Sequence, residues 1–122
     1  MLQLNYRDSR PIYEQIKEQY RRLILNGVLA PDEKLPSVRE LAAQLAINPN
    51  TIQRAYRELE AEGYLYSIPA KGSYVSPVLD LRRQKIEQAE AAFRQAADAL
   101  RALGYDTAAM AALLEKEEEN HD

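Results

Sequence analysis

Residues 35–67 read LPSVRELAAQLAINPNTIQRAYRELEAEGYLYS, and this stretch decides the fold of the chain. Ser37 precedes Glu40 by three residues, the spacing of a capping box, in which each side chain satisfies the free backbone N–H of the other residue. Apolar residues then recur at intervals of three and four, as in a helix that buries one face: Val38, Leu41, Ala42 and Leu45. The pattern predicts a short helix that begins at Ser37.

A second helix follows after a tight turn. Asn48 is a favourable N-cap, and Pro49 at the first helical position lacks only an N–H that would have no helical partner. Gly63 ends the helix, and the same apolar spacing is formed by Ile52, Ala55, Tyr56 and Leu59. The opposite face carries amide, hydroxyl and guanidinium groups: Asn50, Thr51, Gln53, Arg54 and Arg57. A helix that only supported a core would not need this outward set directly after a capped start.

The residues before and after this pair complete the order of a domain. Pro11 opens an amphipathic helix that ends at Asn26-Gly27, and a short strand is predicted near Lys34. Residues 64–68 and 73–76 are rich in aromatic and branched residues, which predicts a β-hairpin with a four- or five-residue loop. Helix, short strand, helix, turn, helix and hairpin is the order of a winged helix-turn-helix. We therefore predict a mainly α fold with a small β-hairpin in residues 1–77, closed by Ser76-Pro77.

Residues 78–122 have a different pattern. Large apolar residues recur every seven positions, with smaller ones three positions later, which is a heptad seam. Gly104 interrupts the seam, and Asp106 is a plausible cap for a further short helix, so we predict a helical hairpin. Because about 40 residues cannot bury such a seam alone, we predict that a second copy of the chain covers it. The predicted dimer interface consists of Leu79, Ile86, Ala89, Phe93, Ala96, Leu100, Leu103, Met110, Leu113 and Leu114.

The net charge of −3 is unevenly distributed. Residues 1–77 carry ten Lys/Arg and nine Asp/Glu, whereas residues 78–122 carry six and ten. The acidity therefore lies in the tail, and a nucleic-acid hypothesis for the first domain rests on the placement of cations rather than on total charge.

The composition excludes several classes of function. The chain has no cysteine, and its only histidine, His121, is next to last, so Cys–His and Ser–His nucleophile pairs and thiolate zinc sites are excluded. No glycine-rich phosphate loop is present. We therefore predict a protein that is not an enzyme and uses no cofactor or metal. Because no apolar run approaches bilayer length and no signal peptide is visible, we predict a cytoplasmic protein without a membrane partner.

The outward residues of the second helix match DNA chemistry. In a helix-turn-helix the second helix enters the major groove, where Gln and Asn pair with adenine and Arg with guanine. A solvated helix face is the alternative, but the capped start, the tight turn and the following hairpin favour DNA. Arg39 lies near the N-terminus of the helix that begins at Ser37, where a positive charge is unfavourable because of the helix dipole. Contact with DNA therefore explains an arginine at this position better than an ion pair. The hairpin tip, Lys71 to Ser73, is placed to reach the DNA backbone or minor groove.

The chain resembles the GntR family of bacterial transcription regulators over about residues 10–77. The landmarks are LPS.REL in residues 35–41, NTI..AY..LE..G in residues 50–63, and a glycine-tipped wing. PIYEQI, NPNT and the short tail resemble the YtrA-type subfamily. In the family, a basic residue is common where Pro49 or Gln53 stands, and a glycine is common at Ala70.

The resemblance implies a dimer in which each recognition helix and wing engages half of an operator palindrome. Residue pattern and resemblance together give one predicted DNA-binding set: Ser37, Arg39, Pro49, Asn50, Thr51, Gln53, Arg54, Arg57, Lys71, Gly72 and Ser73. We therefore predict a homodimeric, sequence-specific regulator, a repressor by resemblance, with double-stranded operator DNA and a second copy as partners. The alternative is a winged-helix protein-interaction module that does not bind DNA specifically. An RNA or nonspecific DNA binder would need a more basic surface, and the residues specify no small-molecule effector.

Overall fold

Seven elements of regular structure follow one another along the described part of the chain. The computed structural model describes the backbone of residues 2–119 and their side chains, except those of residues 78, 79 and 117–119. The fold is mainly α with one two-stranded hairpin, as predicted. In chain order the elements are α1 (Ile12–Leu25), α2 (Val38–Leu45), α3 (Pro49–Ala61), β1 (Leu65–Ile68), β2 (Gly72–Val75), α4 (Val78–Ala102) and α5 (Thr107–Glu119).

The first three helices surround one apolar core. Ile16 and Ile24 of α1 and Ile52 and Leu59 of α3 are 0% exposed. Each such side chain contributes about 1.5–3 kcal/mol by leaving water. Because α3 packs against α1, α2 and β1, the helix that carries most of the predicted DNA-binding residues is also the central helix of the core.

The loop of the hairpin is shorter than the sequence predicted. β1 and β2 are antiparallel, in register from Leu65 opposite Val75 to Ile68 opposite Gly72. The loop is therefore residues 69–71, and the predicted four- or five-residue loop was wrong because Gly72 belongs to β2. The strand predicted near Lys34 is a single bridge to Tyr74.

The segment before α1 docks onto that helix through two glutamines, a feature that the sequence analysis did not predict. Gln15 Oε1 accepts a hydrogen bond from Asn5 N at 2.8 Å, and Gln15 Nε2 donates to Asn5 O at 2.9 Å. One helical turn later, Gln19 Oε1 accepts from Gln3 N at 2.8 Å. Because the two glutamines hold alternate residues, the segment is fixed along α1, and Leu2 and Leu4 pack against the core.

The chain divides into two compact units, one ending at Arg83 and the other beginning at Gln84. α4 begins at Val78, where the predicted tail begins, but Leu81 in its first turns is buried in the core of the N-terminal unit. Among the described residues, no helix combines the length and the apolar character needed to cross a membrane.

Candidate nucleic-acid interface

α2 and α3 form a helix-turn-helix whose two helix starts are both capped by side chains. Ser37 Oγ accepts a hydrogen bond from Glu40 N at 3.1 Å, and Asn48 Oδ1 accepts from Asn50 N at 2.9 Å. Pro49 is the first residue of α3, as predicted. Between the helices, Ala46 has a left-handed backbone with φ of 55°. The caps and this turn define where α3 begins and hence which residues lie on its first turns.

One buried tyrosine ties α3 to the start of α2. Tyr56 donates its hydroxyl hydrogen to Pro36 O at 2.8 Å, and the ring of Tyr20 meets it edge-on with 6.0 Å between centroids. Burial raises the pKa of Tyr56 far above its usual range, so the hydroxyl stays protonated and keeps donating. Because Pro36 directly precedes Ser37, this bond fixes the chain where the helix bearing Arg39 starts. The buried position predicted for Tyr56 is confirmed, and Tyr20 is buried beside it.

The outward face of α3 presents polar groups that nothing else in the described chain occupies. Gln53 and Arg57 lie one helical turn apart, and both are exposed, as are Pro49 and Asn50. Within residues 2–119, the side chains of Gln53 and Arg57 make no hydrogen bond or ion pair. Thr51 is half-buried. Arg39 on α2 is exposed and likewise has no carboxylate within ion-pair distance among the described residues. These side chains are therefore available to a ligand.

The side chain of Arg54 differs from those of Gln53 and Arg57 because it contacts other side chains of the protein. Its Cζ lies 3.7 Å above the centre of the Tyr13 ring, and its Nη2 donates to the Tyr13 hydroxyl at 2.9 Å. Its Nε donates to Glu58 Oε2 at 2.9 Å. The hydrogen bond to Glu58 raises the pKa of Arg54, so its positive charge is secured. The sequence predicted an outward Arg54, and the structure adds that two other side chains orient it.

The contact between Tyr13 and Arg54 is the first in a row of polar contacts between α1 and α3. This row, called the ladder below, also includes Lys17, Glu58 and Glu62. Lys17 Nζ lies 2.7 Å from both Glu58 Oε1 and Glu62 Oε2, and its side chain is only 7% exposed. Burial opposes the charged form of Lys17, but the hydrogen bonds that Lys17 donates to the two glutamates outweigh it and raise the pKa of Lys17. The hydrogen bond from Lys17, followed by that from Arg54, lowers the pKa of Glu58. Lys17 and Glu58 therefore both stay charged at neutral pH.

The sequence analysis missed this ladder, although the sequence carries a signal for it. Tyr13 and Lys17 are four residues apart on α1, and Arg54 and Glu58 are four residues apart on α3. Such spacing puts each pair on one helix face. Matching the two faces requires knowing that α1 packs against α3, and the paired residues are 41 positions apart.

The wing loop contains a turn that favours glycine but holds an alanine. Lys71 N donates to Ile68 O at 3.0 Å across the turn, Pro69 follows Ile68, and Ala70 has φ of 65°. Proline second and a positive φ third are the features of a type II turn, which prefers glycine at the third position. Ala70 therefore bears local strain where the resemblance led us to expect glycine. Lys71 and Gly72 are exposed at this tip, and Ser73 is half-buried.

Lys34 is a candidate contact that the sequence analysis did not name. Its backbone bridges to Tyr74, and Leu35 N donates to Ser73 O at 2.9 Å, so the connector lies along the edge of β2. The Lys34 Cε atom would lie 3.1 Å from a Cβ placed on Gly72. The lysine stem therefore runs over Gly72 toward the tip that carries Lys71.

The cations of the N-terminal unit fall into two groups. Those of the α1–α3 side are paired with carboxylates, including Arg10, Lys17, Arg22 and Arg54. Within residues 2–77, the cations without a carboxylate in ion-pair distance are Arg7, Lys34, Arg39, Arg57 and Lys71. Four of these lie on the helix-turn-helix or beside the wing. A nearly neutral unit thus keeps its unneutralised positive charge on the predicted DNA-binding elements.

The C-terminal unit exposes the predicted seam. Phe93 is 58% exposed and Leu103 is 79% exposed, and Ile86, Leu113 and Leu114 are also exposed. Leu100 and Met110 are half-buried, while Ala89 and Ala96 are exposed. The side chain of Leu79 lies outside the described residues. The predicted cap of the last helix is present, since Ala109 N donates to Asp106 Oδ1 at 2.8 Å.

A sequence model of the gntR family of bacterial regulatory proteins matches residues 12–75. The chain belongs to this family. The match covers α1, the helix-turn-helix and the hairpin, which are the elements that the sequence resemblance relied on.

Three known proteins that resemble this chain show where the similarity lies. The HTH-type transcriptional repressor YtrA of Bacillus subtilis (strain 168) is 50% identical over 76 residues, which are 62% of this chain and 58% of that repressor. The chain thus spans less than two thirds of that relative's length. The solved structure of YtrA from Sulfolobus acidocaldarius is 35% identical with a TM-score of 0.59, over 74% of this chain and 97% of that one. AraR(DBD), solved in complex with operator ORE1, is 33% identical with a TM-score of 0.53, over 62% of this chain and 93% of that one.

Proposed function

We propose that this GntR-family protein is a homodimeric, sequence-specific DNA-binding regulator that represses transcription from a palindromic operator in the cytoplasm. One observation carries the proposal: α2, α3 and the wing region hold four of the five cations of residues 2–77 that have no carboxylate in ion-pair distance, beside the exposed polar face of α3. The likeness to AraR(DBD), which was solved on operator DNA, supports the same assignment of these elements. The similarity to a named repressor supports repression rather than activation.

The side chains divide into base readers and phosphate contacts. Gln53 and Asn50 have the amide geometry that pairs with adenine, and Arg54 and Arg57 have the fork that pairs with guanine. Arg39, Lys34 and Lys71 supply charge for phosphates on either side of the groove. Hydroxyl and backbone groups complete the surface through Ser37, Pro49, Thr51, Gly72 and Ser73.

The C-terminal unit supplies the surface that binds the second copy of the chain. An apolar helix face that includes a phenylalanine at 58% exposure needs cover in water, and a two-fold partner can supply the same face in return. We propose that residues 78–122 form this dimerisation tail and residues 1–77 the DNA-binding domain. Two linked domains would read half-sites about 10 bp apart, or a multiple of that spacing.

Selection of duplexes from a random pool tests the proposal. We expect one enriched motif with two-fold symmetry, whose binding is competed poorly by random DNA. A protein-interaction module would enrich no motif, and a nonspecific binder would be competed equally by random DNA. Either result would refute the proposal.

A single variant then links the motif to α3. Gln53→Ala should weaken binding to the selected duplex by about 1–3 kcal/mol and relax the preference at one position of each half-site. Gln95→Ala, which removes an exposed glutamine from α4, is the matched control and should leave both quantities unchanged. Equal binding by wild type and Gln53→Ala would remove Gln53 from the readout face.

A further inference from the structure

Tyr13 of α1 contacts one of the candidate base readers of α3 in two ways. The Cζ atom of Arg54 lies over the ring, 3.7 Å from its centre, and Nη2 donates to the hydroxyl at 2.9 Å. A cation over an aromatic face is attracted by the electron density of the ring. Tyr13 therefore restrains both the position and the rotation of the Arg54 head group.

We propose that Tyr13 is a positioning residue that sets the base preference read by Arg54. This inference rests on the proposed DNA-binding function. A free arginine on a helix surface samples many rotamers and loses that freedom when it docks on a base. An arginine that is already held loses less, and it reaches only the base that its fixed direction allows. Tyr13 would thus control discrimination without contacting a base.

The contacts leave the reading end of Arg54 available. A guanidinium has five N–H donors, of which Nε–H serves Glu58 and one Nη2–H serves Tyr13. Both hydrogens of Nη1 and one of Nη2 remain. Bidentate donation to guanine O6 and N7 takes two donors. The Arg54 side chain is 57% exposed, so part of it is open to a ligand.

Tyr13 is itself fixed relative to α3 by the next rung of the ladder. Lys17, one turn further along α1, lies 2.7 Å from Glu58 and from Glu62 of α3. Breaking a buried ion pair on one side is unfavourable, so α1 resists sliding along α3. Glu58 accepts hydrogen bonds from both Lys17 and Arg54, whereas among the described residues the Tyr13 hydroxyl hydrogen-bonds only to Arg54. Tyr13 is therefore the part of the clamp that is specific to Arg54.

The test is a double-mutant cycle on the full chain with the selected duplex and its single base-pair variants. Arg54→Ala and Tyr13→Leu should each reduce discrimination at the same base pair by about 5–150-fold. The double variant should lose no more than either single variant, because both remove one contact. Tyr13→Phe keeps the ring and loses the hydroxyl, so it should lose part of this discrimination. Thermal unfolding of each variant checks that the N-terminal unit is folded, and Tyr6→Leu, at an exposed tyrosine, is the control.

Several outcomes would overturn the inference. Two of them are full retention by Tyr13→Leu of the preference that Arg54→Ala loses, and losses of the two residues that multiply in the double variant. Each result would show that Tyr13 does not act through Arg54, while a retained effect of Gln53→Ala would leave the proposed function standing. If Arg54→Ala left base discrimination unchanged while Gln53→Ala reduced it, only the inference would be rejected. Unchanged binding in Arg54→Ala and Gln53→Ala together would reject the readout surface as well.

Discussion

The two units of this chain carry similar apolar residues at similar helical spacings, but these residues are buried in the N-terminal unit and mostly exposed in the C-terminal unit. In the N-terminal unit Ile16, Ile52 and Leu59 are 0% exposed, whereas in the C-terminal unit Phe93 is 58% exposed. The N-terminal unit has three helices and a hairpin with which to surround its core. The C-terminal unit has two helices that leave most of their large apolar side chains in water, while Leu100 and Met110 are half-buried. A periodic apolar face therefore identifies a surface that needs cover, and the number of neighbouring elements decides whether the chain itself provides it.

The largest expected effect tests whether a second copy covers the tail. Phe93→Asp should abolish the dimer, because a charge replaces an apolar side chain at the interface, and loss of the ring alone costs about 3–5 kcal/mol. Sedimentation equilibrium should show a monomer, while thermal unfolding of the N-terminal unit should be unchanged. Gln95→Asp introduces the same charge on an exposed position of the same helix and should remain dimeric. A dimer in Phe93→Asp that is as stable as wild type would show that Phe93 is not at the interface.

The next effect compares a buried isoleucine with an exposed one. Ile52→Ala should lower the free energy of unfolding of the N-terminal unit by about 2–5 kcal/mol, since Ile52 is 0% exposed and its truncation leaves a cavity. Ile86→Ala removes the same atoms from an exposed site. It should leave that unfolding unchanged in urea titrations and should weaken dimerisation. Equal destabilisation of the N-terminal unit by both variants would erase the contrast between the units.

Much of the N-terminal unit was predictable because its signals are local. The caps at Ser37 and Asn48, the buried spacing in α3 and the core position of Tyr56 all depend on residues within a few positions of one another. The docking of the N-terminal segment was not predictable in this way, because a glutamine at position 15 gives no sign that it will bind the backbone of Asn5. Lys17 was not expected to be buried for the same reason, since its partners lie on another helix. The hairpin loop was misjudged because Gly72 can serve equally in a loop or at the start of a strand.

The candidate site also has features that local sequence predicts and features that depend on distant residues. Which residues lie outward on α3 follows from helical spacing, and the structure places Gln53 and Arg57 there. That Arg54 is held while Arg57 is not depends on Tyr13, whose partner is 41 positions away. The unpaired state of Arg39 and Lys34 likewise follows only from knowing where every carboxylate lies.

A moderate effect contrasts an arginine of each unit. Arg39→Ala should weaken binding to all duplexes together and lower the dependence of log K on log salt concentration by about one unit, because it removes one phosphate contact. Arg94→Ala removes an arginine of the tail that lies 3.7 Å from Glu90, and it should leave the salt dependence unchanged. Fluorescence anisotropy at several salt concentrations measures both. A loss confined to one base pair would move Arg39 from phosphate contact to base readout.

The smallest effect concerns the strained wing. Ala70 has φ of 65°, a conformation that glycine adopts without steric cost. Ala70→Gly should therefore raise the free energy of unfolding of the N-terminal unit by about 0.5–1 kcal/mol. Ala43→Gly, on an exposed position of α2, should lower it by about the same amount because the helix backbone gains freedom when unfolded. A decrease in both variants would show that the wing bears no strain at Ala70.

The central claim is that the exposed tail joins two DNA-reading domains on one operator. Sedimentation velocity of the selected duplex with saturating protein tests it directly, because the mass of the complex gives the number of chains bound. We predict two chains on each duplex and no complex with a single chain at any protein concentration. A complex that contains one chain and binds as tightly as the wild-type assembly would contradict the account.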